Sequence, residues 1–387
     1  MITKIKIIFL ITYFCAINTY VLAQEIEPLC VDSSRLKQTD ITSYLDNKII
    51  QGKNLIYCST FQIAWNELMD SIIKEPIKLD AYPFAAQELN KKLTIKKDLS
   101  DDCYLAMAGF NKDGIIEKIK KALRDKFNTT MGINVNLKNP DDILAYAFLF
   151  KNLKFENEFE VMEEPIKFKS NPMFDGTNVK AFGIKNYKPG NTYDKIVNLL
   201  DYQNEDDFII SLKSIVDKDE IILAKVSPKD SLIKTIEYVL SRINNKNASS
   251  LKEGETLQIP KIDFNIFHEF FDLENRSLLN KGWEQYILSK AIQAIRFRLD
   301  EKGAFLRSEA VIELEEGIMD YSPRQFIFNK AFLICLKEKN AKYPYLAIWI
   351  DNVELLIKQE ATPGDSSYSL GTSGFGILNQ QDSTSKF

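Results

Sequence analysis

The segment ILAYAFLFK (143–151) sets the narrowest limit on what this chain can fold into. It is an unbroken apolar run of strand length, and such a strand belongs in a sheet covered on both faces. The chain must therefore supply covering layers. STFQIAWNELMDSIIKE (59–75) carries Ile63, Leu68 and Ile72 at helical spacing behind a hydroxyl start. That predicts a buried helix with Ser59 or Thr60 near its cap. KDGIIEKIKKALRDKF (112–127) predicts an amphipathic helix, with Ile115, Ile116, Ile119 and Leu123 as its stripe and lysines on a solvated face.

Beyond Asp142 strands dominate. VNLLDY and DFIISLKSI read as strands divided by an acidic turn (204–207), DSLIKTIEYVLSRI (230–243) returns to helical period, and ETLQIPKIDFNIF (255–267) is strand again. AIRFRLD sets Ile295, Phe297 and Leu299 against Arg296, Arg298 and Asp300, a half-buried strand. FIFNKAFLICL and YPYLAIWID form a closing hydrophobic pair, while residues 30–40 are polar and uncommitted. With early helices, late strands and no repeat, the expected class is α+β, with helices on a large mixed or antiparallel main sheet and smaller sheets beside it.

Residues 1–23 have the plan of a secretory leader: Lys4 and Lys6, an apolar run, then VLA before Gln24. Its removal takes two of the 50 basic residues and none of the 54 acidic ones, leaving a net charge of −6. That balance gives no electrostatic reason to expect nucleic acid. The expected product is exported, with no membrane span in the mature form. It comprises one domain over residues 24–358 and a Gly/Ser/Thr-rich disordered tail over 359–387. Cys30, Cys58, Cys103 and Cys335 are scattered without Cys-x-x-Cys spacing, which argues against zinc and leaves bridges and free thiols both open. Asn128, Asn247 and Asn275 begin glycosylation sequons.

Enzymatic constellations are poorly supplied. The only histidine, His268, lies in NIFHEFFDL, with no serine near it in a nucleophile-elbow context. The GTSGFG of the tail lacks the preceding strand and following helix of a phosphate loop. Asp101-Asp102 and Glu205-Asp206-Asp207 sit in turn contexts where carboxylates are solvated. The expectation is a protein that is not an enzyme and carries no cofactor or metal.

Six blocks, in order between Asn54 and Asn352, resemble the serpins. NLIYCSTFQIAW resembles the family's "N-hydrophobic-SPFSI" entry into the helix beneath the main sheet, and NPDDILAYAFLFKN its central strand. IVNLLDYQNEDDFIISL resembles its "VLELPY" strand pair, and LQIPKIDFNIFHEF its "LPKFKIESSYDL" strand. ILSKAIQAIRFRLDEKG is similar to the strand that ends at the reactive-loop hinge, and FIFNKAFLICLKEKNAKYPYLAIWIDN to the closing pair. Thr60 stands where the family keeps proline, Gln62 where it keeps a second shutter serine, Tyr146 where it keeps asparagine and Ala331 where it keeps proline. The stretch from Ser59 to Ala147 is shorter than the family's.

The resemblance implies a serpin-like fold with an exposed bait loop after the hinge, cut by a target serine or cysteine protease and then inserted into the main sheet. The hinge would comprise Glu301, Lys302, Gly303, Ala304, Leu306, Ser308 and Ala310, although the family's small residues are missing here and no tight turn leads into the segment. If Ala304 faces the core, strand parity turns Leu306, Ser308, Ala310, Ile312 and Leu314 inward. Phe305, Arg307, Glu309, Val311, Glu313 and Glu315 then face solvent. Counting from the hinge puts the bait at Gly317, and counting back from Phe328 puts it near Asp320, with Ile318 and Met319 between. The lead expectation is a monomeric, secreted suicide-substrate protease inhibitor. The alternatives are a non-inhibitory binding or carrier module of the same fold with a fixed loop, and a cell-surface interaction protein that uses its tail.

Overall fold

The computed structural model describes residues 30–129, 135–151, 153–170, 176–243, 248–304 and 323–360. The expected leader and the tail beyond Glu360 lie outside these residues, as do Leu306, Ser308, Ala310, Gly317, Ile318, Met319 and Asp320. Numbered in chain order, the strands that build the site are β1 (Val31–Asp32), β2 (Tyr104–Phe110), β3 (Ile143–Leu149), β4 (Leu153–Lys154), β5 (Ile262–Glu269), β6 (Ile287–Leu299) and β7 (Gly303–Ala304). The α-helices among the described residues are α1 (Thr60–Glu67), α2 (Phe84–Leu89), α3 (Ile115–Phe127) and α4 (Leu232–Arg242).

β3 is buried at every position, and the two covering layers its composition demands are present. Ile143, Ala145 and Ala147 pack with Phe61, Ala64 and Trp65 of α1. Leu144, Tyr146 and Phe148 pack on the other face with Ile115, Ile119 and Leu123 of α3. α1 is buried from Thr60 through Asn66, and its polar Thr60, Gln62 and Asn66 are hydrogen-bonded in the interior. Its continuation widens over Leu68–Ile73, and the left-handed Lys74 (φ 65°) closes it by donating to the Met69 carbonyl. α3 starts three residues later than its sequence pattern, because Gly114 (φ 69°) breaks helical geometry.

The main sheet is mixed, in the order β1-β5-β6-β3-β2. β1 runs parallel to β5, β6 antiparallel to β5, and β2 antiparallel to β3. The central pair, β6 and β3, is parallel, with Ile295 opposite Leu149 and Gln293 opposite Ala147. A second sheet of seven strands joins early and late parts of the described chain, Leu346–Ile350 pairing with Asn54–Cys58. α4 covers this sheet through Leu232, Ile236 and Val239.

Several expectations need amending. ETLQIPKIDFNIF is two strands in two sheets. Thr256–Pro260 belongs to a four-stranded sheet, and the chain crosses at Lys261, whose N–H donates to the Lys180 carbonyl. The polar stretch before Asp40 contributes β1 and Thr39–Thr42, both parallel to their neighbours. β2 was not signalled at all. All four cysteines covered by the structure are free thiols, with Cys58, Cys103 and Cys335 buried. No described helix is long and apolar enough to cross a membrane.

Asn54 ties the second sheet together. Its Nδ2 donates to Thr39 Oγ1 (3.1 Å) and Asn352 Oδ1 (2.9 Å), and its Oδ1 accepts from the N–H groups of Asp351 (2.8 Å) and Asn352 (3.0 Å). Asn54→Ala strands several buried groups at once. It should lower unfolding free energy by about 2–4 kcal/mol, measured as a shift in urea midpoint at unchanged slope.

Candidate functional site

The site sits where β6 ends. Asp300 N–H donates to the Gly303 carbonyl and Gly303 N–H to the Asp300 carbonyl, both at 3.1 Å. They close a two-residue turn over Glu301 and Lys302. This corrects the expectation that no tight turn leads into the segment, and the signal was present: Asp and Gly are favoured at the first and fourth positions of a type I turn. The Asp300 carboxylate is buried, not solvent-facing as the alternation of AIRFRLD implied. It accepts from Lys302 N–H (3.0 Å) and pairs with Arg298 Nε (2.6 Å), while burial holds its pKa above the usual carboxylate value.

The turn is clamped on three sides. Glu301 pairs with Lys261 at 2.5 Å, both largely buried. The Glu301 carbonyl accepts from Phe159 N–H (2.8 Å) and the Lys302 carbonyl from Phe155 N–H (3.2 Å). β7 then pairs antiparallel with β4, Gly303 opposite Lys154 and Ala304 opposite Leu153. Gly303 has φ 109°, and a Cβ there would stand 2.3 Å from the Leu153 carbonyl oxygen. Only glycine fits so close an approach. The structure thus brings Glu301, Lys302, Gly303 and Ala304 together.

Beneath the parallel pair lies a buried polar cluster that sequence reasoning missed. Gln293 Nε2 of β6 donates to the Cys58 carbonyl (3.0 Å) and Thr60 Oγ1 (2.9 Å) at the start of α1. Gln293 Oε1 and Ser59 Oγ are buried without a hydrogen-bond partner, so Ser59 marks the helix start without capping it. Gln62 turns away, to Asn66 Oδ1 (2.9 Å) and the Leu89 carbonyl (2.6 Å). Tyr146 lies on the opposite face, under α3.

Past the end of β3, Lys151 is almost wholly buried, 2.9 Å from Asp219 and 3.3 Å from Glu338. It ties the main sheet to two strands of the second. Desolvation keeps the Asp219 carboxyl above its ordinary pKa despite the lysine, and pushes the adjacent Cys103 thiol up to about 12.

His268 does have a serine neighbour: Ser33 Oγ lies 2.7 Å from Nδ1, brought in from 235 residues away. Asp32 accepts from Ser34 N–H instead of orienting the imidazole, so the pair lacks the third member of a triad. Burial pushes the imidazole pKa down to about 4. Glu205 and Asp206 are exposed at a turn, as expected, and the cluster also makes ion pairs. Asp206 pairs with the buried Lys225 (2.8 Å) and Asp207 with Arg242 (2.6 Å).

No protein-family model matches the chain, and no curated protein matches it. Among solved structures the chain is similar to Serpin48, a highly specific serpin of the insect Tenebrio molitor, at 12% identity over 77% of this chain and 92% of that one, with a TM-score of 0.49. It is similar to a serpin of the trematode Schistosoma haematobium at 12% identity over 78% and 94%, TM-score 0.46. The third is uncleaved ovalbumin, at 11% identity over 78% and 93%, TM-score 0.43. These likenesses concern fold alone.

Two outcomes follow from this geometry. Gly303→Ala should destabilise the chain by about 2 kcal/mol or more, read by urea unfolding, because it combines a strained φ with a backbone clash. The unfolded chain takes up a proton on His268 near pH 6.5 that the folded chain refuses until about 4. Stability from this group is therefore complete above 6.5 and falls by about 2–3 kcal/mol between 6.5 and 4. Urea midpoints against pH should lose that component in His268→Gln.

Proposed function

We propose that this chain is a serpin-fold protease inhibitor. The segment after Gly303 is offered to a serine or cysteine protease as bait and, once cut, enters the main sheet between β6 and β3. The agreement of three registers carries this reading. Extending the Asp300–Gly303 hairpin along β6 sets Ser308 opposite Ile295. Extending the β7–β4 pairing along β3 sets the same residue opposite Leu149. Ile295 and Leu149 are already partners. A strand continuing from β7 thus enters with no slip against either neighbour, and replaces one parallel contact with two antiparallel ones, the slightly more stable kind. The uncut chain is then a kinetically trapped state whose strain is released on insertion.

The same register puts Ala304, Leu306, Ser308, Ala310, Ile312 and Leu314 on the face of Ile295, Phe297 and Leu299, the side buried against the core. The other face is not open water, contrary to the sequence expectation. Glu309 would lie between Phe148 and Ala294, which α3 and its neighbours cover. α3 has to lift or slide for the charged set to be solvated. That obstacle, with the bulk of Leu306, favours a second reading in which the loop stays fixed and the fold serves as a binding or carrier module.

Cutting the loop separates the two. The purified mature protein is nicked between Glu315 and Asp320, the cut is located by mass spectrometry, and thermal unfolding is compared with the intact form. Insertion should raise the unfolding temperature on the order of 10 °C or more and justify a search for covalent protease complexes. An unchanged temperature with a clean cut would sink the inhibitor reading and leave the fixed-loop module.

A further inference from the structure

β2 ends the main sheet among the described residues. Asn111 N–H donates to the Asp142 carbonyl and Phe150 N–H to the Cys103 carbonyl, which fixes the phase of its ladder with β3. Leu105, Met107 and Gly109 exchange hydrogen bonds with β3. Tyr104, Ala106, Ala108 and Phe110 direct their N–H and C=O groups away from it. No backbone group among the described residues pairs with those outward groups.

Soluble proteins protect such an edge with charge, proline, a bulge or a covering element. β2 has no charged residue and no proline, its seven pairs with β3 run without a register shift, and residues 106–110 are part-exposed. The strand also complements itself. Set antiparallel about a two-fold axis at Met107, Ala106 faces Ala108 of the second copy and Tyr104 faces Phe110. All four outward residues then pair, forming about eight hydrogen bonds. The chain leaves extended geometry on either side, in the tight turns Asp101–Cys103 and Asn111–Asp113, so the paired segment is limited to these seven residues.

We infer that β2 is a homodimerisation edge: two copies of this chain join through it into one continuous main sheet, replacing the monomer expected from sequence. The inference does not rest on the inhibitor reading and survives its failure. The mature chain should show a concentration-dependent mass twice that of the chain in sedimentation equilibrium. Ala108→Pro removes an outward N–H while sparing the β3 ladder. It costs two dimer hydrogen bonds and should weaken association about thirtyfold without loss of the far-ultraviolet dichroism of the fold. Met107→Cys, placed in a Cys30→Ser background, should form an intermolecular disulfide under mild oxidation, whereas Gly109→Cys should not. A wild-type chain that stays monomeric at about 100 μM, against the micromolar binding of weak specific pairs, overturns the inference. So does a dimer insensitive to Ala108→Pro, or one whose Met107→Cys form fails to cross-link. A monomer in which the amides of Tyr104, Ala106, Ala108 and Phe110 resist hydrogen exchange overturns it in favour of another occupant of the edge, from this chain or from a different protein.

Discussion

The parallel contact between β6 and β3 is the constraint around which the molecule is arranged. Parallel neighbours need a long crossover, and here the chain builds much of the second and third sheets before it returns to lie beside β3. Both faces of the pair must then be sealed. α1 does so through Phe61, Ala64 and Trp65, and α3 through Ile115, Ile119 and Leu123. The one polar side chain in the middle of the pair, Gln293, is satisfied on its donor side by the entry to α1 and left unmatched on its acceptor side. An unmatched buried carbonyl costs stability.

Two anchors of different kinds hold the C-terminal end of that contact. Past β3, Lys151 fastens the main sheet to Asp219 and Glu338 through a desolvated ionic cluster. Breaking a buried pair of this kind is costly because it leaves a charge without a partner. Past β6, the Asp300–Gly303 turn is gripped by Lys261 and by the N–H groups of Phe155 and Phe159. Both anchors act at that one end, and the rest of the seam holds chiefly by packing and by the slanted hydrogen bonds of a parallel ladder.

Much of this was legible in the sequence for reasons that can be named. β3 announced itself by apolar continuity, α3 and α4 by period, and the closing strand pair by two dense hydrophobic runs. The α+β class followed from their order. β2 escaped because Ala106, Ala108 and Gly109 give no alternation, and β1 because two residues carry no period. The split of residues 255–267 between sheets was hidden because both halves have strand composition. At the site, glycine at 303 was singled out but its tight turn was not, although Asp300 and Gly303 spelled it. The partnerships of Gln293 with Thr60 and His268 with Ser33 span more than 230 residues, and no local pattern encodes them. The period of α3 was readable, whereas its placement over Phe148 and Ala294 was not.

The two-residue turn between Asp300 and Gly303 has a consequence for how this chain can change over evolutionary time. Side chains on a strand alternate, so in the insertion proposed above, adding or losing one codon in that turn would exchange the two faces of the entering strand. Its alanines and leucines would trade places with its arginine and glutamates. Point substitutions at Glu301 or Lys302 leave that phase untouched. The turn therefore behaves as a reading frame in three dimensions, open to spelling changes but closed to insertions and deletions.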